Sequence, residues 1–129
     1  MDEGEALIRD IWRRWNEGAR DLSPDVVADL EIHSTLAGRT YRGEDEVREW
    51  IAEIDEQFEF WTLDLGRVEK AAPDRYLALG AIRARGRQSG VVLDQPLTWA
   101  IELRGGQLAR MEAFWGADSY DQAKAALDA

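Results

Sequence analysis

Cysteine is absent from these 129 residues. That excludes disulfides, thiolate metal ligands and cysteine nucleophiles, and it suits a reducing compartment. Histidine occurs once, at His33, so a metal site would rest on carboxylates alone, and no metal or cofactor is expected. No apolar run approaches the roughly 18 residues needed to cross a bilayer. The start, Met1-Asp2-Glu3-Gly4-Glu5, is acidic and lacks the basic-then-apolar order of a signal peptide, so a cytoplasmic location is expected. Basic side chains are in deficit, 16 against 26 acidic ones, for a net charge of −10. This balance disfavours both nucleic acid and an anionic membrane as partners. Phosphate loops and nucleophile elbows are also missing. With no repeat or linker, the chain reads as a single domain over 1–129, long enough to bury a core without staples.

What is present is periodicity. Residues 3–17 read as a helix: Asp2 caps it, Glu5 follows three positions on, and Leu7, Ile8, Ile11, Trp12 and Trp15 make one apolar stripe. Gly18 is its stop. Ser23-Pro24-Asp25 reads as a cap with proline at the first helical position, opening a short helix through Val26, Val27 and Leu30. Glu31 to Thr35 alternates as a strand, and Tyr41-Arg42 is its short return. Residues 44–57 form a second long helix, with Val47, Trp50, Ile51, Ile54 and Phe58 on its buried side.

The second half is a meander. Four strands are expected near 58–69, 75–87, 91–104 and 107–115, separated by Pro73-Asp74, Ser89-Gly90 and Gly105-Gly106. A short terminal helix runs from Ser119 to Leu127. Helices first and antiparallel strands afterwards imply an α+β layout. Alternation puts Ile82, Ala84 and Gly86 on an inner face and Arg83, Arg85 and Arg87 on an outer one. Leu97, Trp99, Ile101 and Leu103 also share a face.

Four segments carry a family likeness: Asn16-Glu17-Gly18; Asp29-Leu30-Glu31-Ile32-His33; Tyr41-Arg42-Gly43-Glu44-Asp45-Glu46-Val47; and Gly106 through Met111-Glu112-Ala113-Phe114-Trp115. In this order and spacing the chain resembles the nuclear transport factor 2-like superfamily, within it the SnoaL-like and ketosteroid-isomerase-like proteins. The resemblance covers nearly the whole chain. It implies a cone: a strongly bent, mostly antiparallel sheet wrapped around the N-terminal helices, a cystatin-like α+β roll with a pocket between them. It also implies a homodimer through the outer sheet face, with Arg83, Arg85 and Arg87 meeting acidic residues of a second copy.

The resemblance also shows what is missing. Ser34 falls near the ketosteroid isomerase base, Trp99 near its acidic donor and Trp12 near its tyrosine. Serine has no accessible base form, and an indole donates without accepting. Limonene-epoxide-hydrolase-like relatives use an arginine and an aspartate two residues apart, where this chain has Arg83-Ala84-Arg85.

Six tryptophans in one small domain suit either core filling or an aromatic-lined pocket. The expected wall is Trp12, Trp50, Trp99 and Trp115 with Ser34, Ile54, Ile82, Ala84 and Met111, and with Tyr41 near the mouth. A void of about 300 Å³ would cost about 7 kcal/mol if dry, so such a space is wet, occupied or collapsed. The expected function is binding of a small hydrophobic molecule, without the carboxylates its relatives employ. One alternative is an isomerase, cyclase or hydratase acting on a hydrophobic ring, with His33 as base, because imidazole titrates near neutral pH. Another is a dimeric interaction module. Glu112 is expected to face outward, against a strand arginine.

Overall fold

The computed structural model describes residues 2–18, 25–34 and 38–128. The element order is α1 (Glu3–Asn16), β1 (Val26–Ser34), β2 (Arg39–Arg42), α2 (Gly43–Gln57), β3 (Phe58–Ala72), β4 (Arg75–Gly86), β5 (Val92–Arg104), β6 (Gln107–Trp115) and α3 (Ser119–Asp128). The strands form one six-stranded sheet ordered β2-β1-β6-β5-β4-β3. Every pairing is antiparallel except β1 with β6, which is parallel. The architecture is an open mixed sheet with three helices, an α+β cone.

Local chemistry explains the helix starts. The Asp2 side chain accepts from the Glu5 backbone N–H, as its spacing implies. Gly43 has φ 80°, a conformation open to glycine at little cost, and it turns the end of β2 straight into α2. Apolar stripes then decide orientation. Ile8, Ile11, Trp12 and Trp15 of α1 and Val47, Ile51 and Ile54 of α2 are buried against the inner face of the sheet, with Ala78, Ile82, Ala84, Trp99 and Ile101 opposite them. Asn16 anchors the end of α1: its amide donates to the Leu63 carbonyl at 2.7 Å and accepts from the Leu63 N–H at 2.8 Å. One residue earlier, the Trp15 indole donates to the Trp61 carbonyl at 3.0 Å.

The short helix expected after Pro24 is not there. Val26 to Leu30 belong to strand β1, while Ser23 and Pro24 lie outside the described residues. The reason is a register shift between Val26 and Glu31, which breaks alternation and leaves Val26 and Leu30 buried four positions apart. That spacing imitates a helix face. β-branched Val26 and Val27 suit the extended chain that forms.

The outer face is divided. α3 covers one end, where Ala123 and Leu127 pack on Leu77 and Ala100 and Ser119 hydrogen-bonds Thr98 at 3.1 Å. The other end carries Arg83 and Arg85, both exposed. Arg87 departs from that stripe: its Nε donates to the Asp55 carbonyl at 2.9 Å, tying the turn after β4 to α2. No described helix is long and apolar enough to cross a membrane.

Candidate functional site

The inner face and α2 enclose a cavity of about 140 Å³. That is smaller than the few hundred Å³ expected, because the tryptophans pack on one another. Trp15 and Trp50 stack with centroids 5.7 Å apart, and Trp12 meets Trp99 edge-on at 5.5 Å. At roughly 24 cal/mol per Å³, a dry space of this size would cost only about 3 kcal/mol, which a domain can carry without collapsing. An engineered void of about 150 Å³ in another protein stays open and takes benzene, which fixes the ligand scale.

Four of the expected wall residues reach the cavity from the first half of the chain: Ser34, Tyr41, Trp50 and Ile54. Four more reach it from the sheet: Ile82, Trp99, Met111 and Trp115. Trp12 and Ala84 do not. Trp12 stands behind Trp99, and Ala84 lies in register with Trp61, whose larger ring takes the wall. Tyr41 is not at the mouth but buried, 1% exposed; exposed Gln57 stands at the rim instead. The indole N–H groups of Trp12 and Trp115 are buried with no hydrogen-bond partner among the described residues. Leaving such donors unpaired costs about 1–3 kcal/mol each, and the fold accepts that beside the cavity.

Sequence reasoning missed Glu53. It lines the cavity from α2, and the Tyr41 hydroxyl donates to its Oε2 at 2.7 Å. Burial, and then the Glu53 carboxylate, push the Tyr41 phenol above its ordinary value, so it stays a hydrogen-bond donor. The signal was helical spacing. Trp50, Glu53, Ile54 and Gln57 sit at i, i+3, i+4 and i+7, the pattern of one face, and a charge on that face invites a functional reading. No lysine or arginine lines the cavity among the described residues.

His33 touches the cavity edge, but its ring nitrogens are engaged by polar groups of its own strand and of the two neighbouring ones. Nε2 lies 3.2 Å from Glu31 Oε2 and 3.4 Å from Arg110 Nε, and Nδ1 lies 3.1 Å from Thr40 Oγ1. Glu31, Thr40 and Arg110 come from β1, β2 and β6, and the same network holds Arg42 on Glu31 at 3.1 Å and Arg110 on Glu112 at 3.1 Å. The His33 hydrogen bond, helped by Arg42, keeps the Glu31 carboxyl below its ordinary range. Among the described residues no group of histidines and acids could hold a metal ion.

No protein-family model matches the sequence, and no curated protein matches it. Solved structures do match. A nuclear transport factor 2-like protein of unknown function from Burkholderia pseudomallei superposes with a TM-score of 0.77 at 15% identity, over 95% of each chain. A candidate polyketide cyclase from Xanthomonas campestris gives 0.78 at 13% identity, over 95% of this chain and 96% of that one. A protein with a ketosteroid isomerase-like fold from Catenulispora acidiphila, in complex with trimethylamine, gives 0.73 at 16%, over 92% of each. The chain therefore has the nuclear transport factor 2-like fold, in the form seen in polyketide-cyclase-like and ketosteroid-isomerase-like proteins.

Proposed function

We infer that this chain, with its nuclear transport factor 2-like fold, binds a small molecule about the size of one ring in the cavity under α2. The observation that carries this reading is a cavity of about 140 Å³ walled by Trp50, Trp61, Trp99 and Trp115, with Tyr41 and Glu53 as its hydrogen-bonded polar pair. Such a site buries an apolar body and orients it through a few polar atoms. Phenol and toluene are suitable probes. Ligand-observed NMR is expected to detect both with the native protein. Filling the space by Ala113→Leu is expected to abolish binding while the fold persists by circular dichroism. If neither probe binds the native chain, the reading is wrong.

One observation favours an acid–base enzyme acting on a hydrophobic ring as a second reading. Tyr41 and Glu53 form a donor–acceptor pair facing the cavity, whereas His33 spends both ring nitrogens on Glu31, Thr40 and Arg110. In that reading Glu53 takes the base role first assigned to His33. Turnover would then survive His33→Gln and vanish in Glu53→Gln.

A further inference from the structure

The charge state of the wall narrows the ligand. Glu53 is half-buried and supplies a carboxylate to a cavity that no lysine or arginine lines among the described residues. Among the described residues it makes no ion pair: Arg39, from the neighbouring β2, pairs with Glu49 at 3.5 Å. Among the described residues its hydrogen bond is to Tyr41, on Oε2, with no partner on Oε1. A neutral ring would bury that oxygen with no partner, which is unfavourable. A cation would pair with it.

The remaining wall suits a cation as well. Trp50, Phe58, Trp61, Trp99 and Trp115 line the same space as Tyr41 and Glu53. Aromatic faces attract alkylammonium groups through the ring quadrupole, the more strongly the drier the site. The Tyr41 ring already receives one cation, with Arg39 Cζ 4.5 Å from its centroid. The net charge of −10 raises the local concentration of small cations around the whole molecule.

We propose that the cavity takes a small organic ammonium ion, its alkyl groups against the tryptophans and its charge against Glu53. This rests on the binding function inferred above and names its ligand class. The test compares choline with its neutral carbon isostere 3,3-dimethylbutan-1-ol, by calorimetry on the full chain, alongside toluene. Choline is expected to bind about tenfold more tightly than the isostere, and Glu53→Gln to lower that ratio several-fold. Gln retains an oxygen for the Tyr41 hydroxyl, so the variant keeps the local hydrogen bond. Trp50→Leu is a second variant and should weaken choline more than the isostere. If the isostere binds the native protein as tightly as choline, or toluene binds and choline does not, the ammonium assignment is overturned and the binding reading stands. If toluene fails as well, both fall.

Discussion

Trp99 shows how one side chain serves both packing and the site. It is 2% exposed, meets Trp12 edge-on and still presents a surface to the cavity. Trp99→Ala is expected to lower unfolding free energy by about 3–5 kcal/mol in urea titrations. Tyr76 makes a pH prediction. Burial, and then its hydrogen bond to Asp2, push its phenol from 10.0 up to about 12. The folded chain thus holds that proton more tightly than the unfolded one, so the contribution is whole below pH 10 and is lost as pH rises toward 12. Between those values, native stability should fall by about 1–2 kcal/mol more than that of Tyr76→Phe, measured by urea melts at each pH. Glu53 marks where single-residue reading ran short. A lone charge on a helix reads as solvated, and only the partner Tyr41, brought from another element, reveals its direction.

The elements were more legible than the residues. α1, α2 and the four strands of the meander follow directly from apolar periods of 3.6 and 2, because each buries one continuous face. From Glu31 on, β1 read as a strand; its first half, Val26 to Leu30, escaped because the register shift removes the alternation a strand should show, and a proline after serine suggested a helix start. Another irregularity gives a test. β3 shifts register between Leu65 and Arg67, and Gly80 faces Leu65 across the pair. A Cβ on Gly80 would sit 1.9 Å from the Asp64 carbonyl oxygen, which is backbone and cannot swing aside. Gly80→Ala should therefore cost at least about 1–3 kcal/mol by forcing the two strands apart, read as a lowered urea midpoint. The cavity needed the elements assembled. Its wall draws on β1, β2, α2 and four further strands, and no short stretch of sequence contains it.

At the level of the molecule, α3 decides which outer surface is open. It covers Leu77 and Ala100, leaving Phe60, Arg85 and Val92 side by side across β3, β4 and β5, with Phe60 42% and Val92 60% exposed. A second copy is expected to dock on this end rather than over the whole face. Sedimentation equilibrium at micromolar concentration should show a dimer, and Phe60→Ser combined with Arg85→Glu should give a monomer. A native chain that sediments as a monomer removes the expectation.

The single parallel pairing, β1 on β6, has a consequence for synthesis. The partners Ile32 and Met111 are both cavity residues, yet more than half of the chain separates them. While the ribosome is still making the meander, β1 has only the four-residue β2 to pair with, and its apolar edge waits unprotected. A nascent chain stalled before residue 107 therefore lacks Met111, Ala113 and Trp115, and with them one side of the hollow.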